Sequence, residues 1–226
     1  MCAGDVDGVV VATPNDWLAP ITCTALEAGK HVLCEKPPGR DVAEAKTMRD
    51  SAARSGRLFA FGFNHRHAAG VHEALDIART GGIGRLLHAQ ARYGHGGRPG
   101  LEHEWRADPK RAGGGEMMDQ GAHLLDLARL ILGEVERVYA ITRTEFWPLA
   151  PLEDNAFCLL EHVGGAVSMR TPASSSGRTC SPSRSLATRA RSSPKASAAA
   201  MAASTRCGSV GGYDTACEPN IGSSSS

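Results

Sequence analysis

Short β-branched runs alternate with stretches of helical spacing over the first third of the chain. Val6 to Ala12 carries Val6, Val9, Val10 and Val11 between acidic and turn residues, which predicts a buried parallel strand. Thr13, Pro14 and Asn15 follow as a turn at that strand's carboxyl end. Leu18, Ile21, Thr22, Ala25 and Leu26 then recur at helical spacing, and Gly29 suits the C′ position that closes the helix. His31 to Cys34 is the next strand. Asp41 as N-cap, with Glu44 as its capping-box partner, opens a helix that runs to Ser55 and ends at Gly56. Arg57 to Phe63 is a third strand. Strand–helix–strand–helix–strand in this order predicts an α/β architecture with a doubly wound parallel sheet.

The pattern changes after residue 66. A helix over Ala68–Arg79 precedes strand-like stretches at Arg85–Tyr93, Val135–Phe146 and Asn155–Val163, with a fourth at Ala166–Met169. One long helix, Glu116–Leu132, interrupts them. Strands that follow one another without crossover helices predict an open, mostly antiparallel sheet, hence an α+β domain over residues 67–169.

A compositional break near residue 169 bounds that domain. All 9 His lie before it, with 18 of the 25 Lys+Arg and 22 of the 24 Asp+Glu. Residues 170–226 hold 15 Ser and only five large apolar residues, Leu186, Met201, Val210, Tyr213 and Ile221. So little apolar surface cannot offset chain entropy, and 170–226 is expected to be a disordered Ser/Ala/Arg-rich tail, regulatory or the product of a shifted reading frame. A net charge of +1 argues against a nucleic-acid or anionic-membrane partner. No apolar run approaches the roughly 20 residues that span a bilayer. The seven Cys form no CxxC pair, and the start of the chain has no secretion signal, so reduced thiols in the cytoplasm are expected.

Several clusters can carry chemistry. Glu35-Lys36-Pro37-Pro38 follows directly on a strand's carboxyl end, the edge where open α/β sheets bind ligands, and Pro37 restricts the lysine before it. Lys36 is either a proton-handling amine or a surface lysine in a proline turn. Gly113-Gly114-Gly115 opens a helix on which Asp119, His123 and Asp126 share one face at i, i+4 and i+7. That helix is apolar nearly all round, so this polar stripe is either an internal hydrogen-bond network or the wall of a site. The three glycines allow a ligand or a backbone to approach closely. His123 suits a general base on a hydroxyl, with Asp119 orienting the same group. Asn64-His65-Arg66-His67, at a third strand end, lines the cleft or forms a solvated loop. Trp105 is a lid on a sugar face or an ordinary anchor. A zinc site on Asp119 and His123, with His95 or His103, lacks any HExxH or close His pair, and no metal is expected. Cys34 beside Lys36 is a low-pKa thiol or plain packing.

These pieces together resemble the Gfo/Idh/MocA family of NAD(P)-dependent sugar and polyol oxidoreductases. The resemblance rests on Val9-Val10-Val11-Ala12-Thr13-Pro14-Asn15, on Ala28-Gly29-Lys30-His31-Val32-Leu33-Cys34-Glu35-Lys36-Pro37, and on Gly113-Gly114-Gly115 through Asp119-Gln120-Gly121-Ala122-His123 to Leu132-Gly133. They occur in the family's order and spacing and cover residues 4–169. The resemblance implies a Rossmann-type domain over 1–66 and a substrate and dimerisation domain over 67–169. It implies Lys36, Asp119 and His123 as catalytic residues. It implies Thr13, Pro14, Asn15, Glu35 and Lys36 as contacts to NAD or NADP. It implies Asp119 as a contact to the hydroxyls of a sugar or polyol; Asn64 and Arg66, from the strand-end loop, and Trp105, as an aromatic lid, are expected to touch the same substrate. A homo-oligomer through the antiparallel sheet's open face is implied as well. The family's opening strand and G-x-G-x-x-G turn have no counterpart ahead of Val9, so an incomplete nucleotide domain is expected. Two other outcomes stay open: a non-catalytic remnant that binds no cofactor, and an NAD-assisted glycosidase or dehydratase on the same fold.

Overall fold

Residues 5–81, 83–94 and 96–172 are described in full by the computed structural model, and 183–191 and 200–206 as backbone strands. A parallel sheet joins β1 (Gly8–Val11), β2 (His31–Cys34) and β3 (Phe59–Phe61) in the order β1-β2-β3. Crossovers α1 (Asn15–Glu27) and α2 (Val42–Ser55) link them. Both helices end as the sequence predicts, with Gly29 and Gly56 in the left-handed region at φ 77° and 63°. Asp41 caps α2 by accepting from the Glu44 N–H at 2.8 Å. The Glu44 carboxylate turns to the Arg40 N–H at 2.7 Å instead of closing the expected box on Asp41.

Val11, Leu18, Ala25, Leu26, Val32, Cys34 and Met48 form the core between this sheet and its two helices. Only one face is covered. Val10 and Leu33, neighbours in register, stay 70% and 46% exposed. The expectation of a fully buried β1 is therefore corrected to a strand buried on one side. Alternate side chains point to opposite faces, and α1 and α2 pack on one of them.

A second sheet holds the order β5-β6-β7-β4-β8-β9. Its strands are β4 (Arg85–Tyr93), β5 (Val135–Arg143), β6 (Asn155–His162), β7 (Val167–Pro172), β8 (Ser183–Arg191) and β9 (Ala200–Arg206). Pairing is antiparallel except between β4 and β7. Helix α3 (Ala69–Arg79) precedes β4, the short α4 (Pro109–Ala112) precedes Gly113, and α5 (Ala122–Leu132) packs Ala128 against Ala156, Cys158 and Leu160 of β6.

Two expectations need correction. Residues 170–172 complete β7, and 183–191 and 200–206 pair as β8 and β9, so these segments are not disordered. A ladder is held by backbone hydrogen bonds, and β8 finds the free edge of β4, which a count of apolar residues does not register. The other residues beyond 172 lie outside those described. The long helix Glu116–Leu132 is also interrupted: Met117–Gly121 is a π turn that leads into α5. No helix among the described residues is long and apolar enough to cross a membrane.

Candidate active site

The two halves of the fold are joined by turns and helices, among them the turn that follows β2. Lys36 stands two residues past that strand, on a peptide before the buried Pro37. Its Nζ donates to Asp119 Oδ1 at 2.5 Å and to the Asp119 carbonyl at 2.8 Å. The pair is partly shielded, with side-chain exposures of 16% and 24%. Asp119 Oδ2 faces Arg106 Nε at 3.4 Å and accepts from Gln120 Nε2 at 3.3 Å. Arg106 itself lies over the Trp105 ring, 4.5 Å from its centroid. Two further contacts tie the halves together: Asn15 Nδ2 donates to the Ala112 carbonyl at 2.9 Å, and Arg111 Nε reaches Asp16 at 3.2 Å.

The π turn that carries Asp119 is anchored from a distance. Glu153 accepts from the Gly115 N–H at 3.1 Å and the Met117 N–H at 3.0 Å, and its own carbonyl accepts from the Glu116 N–H at 2.9 Å. A Cβ on Gly115 would lie 1.9 Å from that carbonyl oxygen. The glycine is therefore required by an approaching backbone, which decides one of the alternatives left open by the sequence. π turns inside helices recur at functional sites.

A cavity of about 340 Å³ opens between these elements, within the range of small-molecule sites. Lys36, Asp119, His123, Asn15, Asn64 and Trp105 line it, six of the residues expected from sequence. Thr13, Pro14 and Glu35 stand beside it without lining it; Pro14 is the N-cap of α1, and Glu35 Oε2 accepts from the Lys36 N–H at 3.1 Å. Arg66 points elsewhere. Its guanidinium pairs with Asp126, with Nε 2.7 Å from Oδ2, so Asp126 leaves the polar face it was expected to share with Asp119 and His123. Arg66 does not line the cavity, and its Nε and Nη2 donate to a carboxylate that lies outside it.

His123 is buried, and its ring stacks on that of His65 with centroids 3.7 Å apart and planes 16° from parallel. Sequence reasoning reached His65 only as part of a strand-end loop. It missed Glu153 altogether, since nothing local marks a residue 38 positions beyond the glycines it holds. Cys34 is buried at the end of β2, and burial pushes its thiol pKa up, which removes the activated-thiol reading. Among the described residues no group of three His, Cys, Asp or Glu is arranged to hold a metal ion; His95 lies outside them.

Comparison with known proteins agrees with this geometry. A family model described as "Oxidoreductase family, NAD-binding Rossmann fold" matches residues 1–63, and one described as "GFO/IDH/MocA C-terminal domain" matches 71–178. The chain is 34% identical over 171 residues to levoglucosan dehydrogenase of Pseudarthrobacter phenanthrenivorans, covering 74% of this chain and 43% of that protein. It is 36% identical over 130 residues to D-glucoside 3-dehydrogenase of Escherichia coli, covering 56% of this chain and 36% of that one. Among solved structures, levoglucosan dehydrogenase in complex with NADH and levoglucosan superimposes with a TM-score of 0.74 at 29% identity, over 81% of this chain and 52% of that one. An inositol dehydrogenase homolog from Azotobacter vinelandii, complexed with NAD+, gives 0.76 at 28% identity, over 83% and 51%. The chain thus spans between 36% and 52% of the length of these relatives.

Proposed function

We propose that this chain, which belongs to the Gfo/Idh/MocA family of oxidoreductases, serves hydride transfer between a sugar or polyol CH–OH carbon and NAD(H) or NADP(H). The observation that carries this reading is the convergence of Lys36, Asp119 and His123 on one cavity at the carboxyl edge of a parallel sheet. Thr13 supports the cofactor's fit: its Oγ1 is buried at the carboxyl end of β1, beside the cavity, with no hydrogen-bond partner, a polar atom suited to a ligand at that strand end. When bound there, the nicotinamide supplies the acceptor or donor of the hydride.

The chain's own residues handle the hydroxyl. Lys36 Nζ and the Asp119 carboxylate, already in contact, orient it from one side. The imidazole of His123 takes its proton as the O–H bond breaks and the C=O bond forms, and returns it in the reverse direction. Lys36, Arg98 and Arg106 balance Glu116, Asp119 and Glu153 among the described lining residues, which favours a neutral, hydroxylated substrate over a carboxylated one. Trp105 and the Arg106 guanidinium stacked on it provide a flat wall for a sugar face. The three described cysteines, Cys23, Cys34 and Cys158, are free thiols and suit a reducing cytoplasm.

A second copy of the chain is the proposed occupant of the second sheet's bare face. Tyr139, Leu159 and Met169 follow one another in register, as do Ile141 and Phe157, and each is between 41% and 55% exposed. Ile141→Lys is expected to shift the sedimenting species to a monomer; a monomeric wild type would refute the pairing.

Lys36→Ala and His123→Ala test the chemistry. Each is expected to lower sugar-dependent reduction of NAD+ or NADP+ by about 10²–10⁴. Turnover that survives both changes would overturn the assigned roles. A chain that shows no thermal shift with either dinucleotide is a non-catalytic remnant, and turnover of sugar without accumulating reduced cofactor marks the glycosidase or dehydratase chemistry.

A further inference from the structure

His65 and His123 come from different parts of the fold. His65 belongs to the 3₁₀ turn Asn64–His67 that follows β3, and His123 to the first turn of α5. Both are buried, at 7% and 5% exposure, and both line the cavity. Their rings are nearly parallel and in van der Waals contact. The stack is held from both sides: the edge of Tyr93 meets His65 at 5.1 Å, and Phe63 meets His123 at 6.1 Å.

We propose that His65 and His123 titrate as one unit that holds a single proton through the neutral range, so that His65 is a positioning residue for the protonation state of His123. Two imidazolium rings in this stack would place like charges in contact inside a shielded cavity, so the second proton is opposed. One imidazolium over one neutral ring is favourable, because the cation faces a π system. The two protonation steps therefore belong to the pair. Between them one ring is protonated and the other neutral, so His123 accepts a proton from a hydroxyl only as His65 releases its own to the solvent in the cavity.

Other titratable and charged groups line the same cavity. These are Lys36 from the turn after β2, Tyr93 from β4, Glu116 and Asp119 at the π turn, and Arg98, Arg106 and Glu153 from the loops. The separation of the steps comes from the ring-to-ring contact.

The functional meaning rests on His123 as the proton acceptor proposed above, but the titration is read without turnover, so either can fail alone. The full chain with 13C-labelled histidine is titrated by NMR across neutral pH. The His65 and His123 resonances are each expected to show two inflections, separated by at least about one pH unit. In His65→Phe, which keeps an aromatic ring in the stack, His123 should titrate in one step; His123→Phe should do the same for His65. Single independent steps in the wild type, or an unchanged His123 curve in His65→Phe, would overturn the proposal. If a variant fails to fold, the number of inflections in the wild-type curves decides.

Discussion

The parallel-sheet half and the mixed-sheet half hold their shares of the cavity by different means. Lys36 and Asn15 sit just past the carboxyl ends of β2 and β1, so the strand backbones place them and the Leu18–Leu26–Met48 core supports the strands. Asp119 sits on a π turn whose entry, the N–H groups of Gly115, Glu116 and Met117, is held by Glu153 in the loop before β6. The neighbouring Asp154, fully buried, accepts from the Glu145, Phe146 and Trp147 N–H groups at 3.0, 2.7 and 2.8 Å and from Asn155. One half is positioned by sheet geometry, the other by two adjacent carboxylates in a loop. Damage to the first should spread through stability, whereas damage to the second should reach the site directly.

Gly115→Ala should have the largest effect. The added methyl meets the Glu153 carbonyl, which is backbone and cannot swing away, so a loss of about 4 kcal/mol in urea unfolding is expected. The Lys36–Asp119 contact should be lost with it. Leu18→Ala removes a fully buried side chain from the other half and should cost about 3 kcal/mol. A crystal structure of that variant should keep Lys36 on Asp119; loss of the contact would erase the distinction between the halves.

Asp154→Asn comes next, at about 2 kcal/mol near neutral pH, because an amide cannot accept from every donor around it. Burial alone would raise the Asp154 pKa, but the N–H groups of Trp147, Phe146 and Glu145 and the Asn155 amide outweigh it and hold the carboxyl below its ordinary value. A carboxyl with a depressed folded pKa contributes stability that is complete above the unfolded value, about 4, and is lost as pH falls through the folded one. The wild type should therefore lose this increment below about pH 4, and Asp154→Asn should not. Arg66→Ala should matter least. Its partner Asp126 is only 9% exposed, but the guanidinium is 46% exposed, so a cost below about 1 kcal/mol is expected, with no change in sugar affinity. A large rise in the sugar's apparent Kd would return Arg66 to the site.

Legibility follows the same division. The strands at His31–Cys34 and Arg85–Tyr93 have the predicted bounds, and α1 and α2 end at the predicted glycines. Each is encoded by neighbours within a few residues. The interrupted helix was not legible, because the hydrophobic pattern of Glu116–Leu132 is compatible with an unbroken α-helix and only the grip of Glu153 distinguishes the two. Arg66 read as a ligand for substrate because its loop ends a strand, yet Asp126, 60 residues away, claims it.

Local periodicity and turn chemistry by themselves determined that a parallel α/β unit precedes an open, mostly antiparallel sheet, and that an amine at a strand end and a carboxylate four residues before an imidazole are the groups to examine. The tertiary structure alone decided that Lys36 meets Asp119, that Gly115 makes room for a backbone, and that His65 lies against His123. Those contacts join residues 38 to 83 positions apart, or elements as distant as a 3₁₀ turn and α5. The free energy of such contacts arises only when the chain closes on itself, so no short window of sequence carries it.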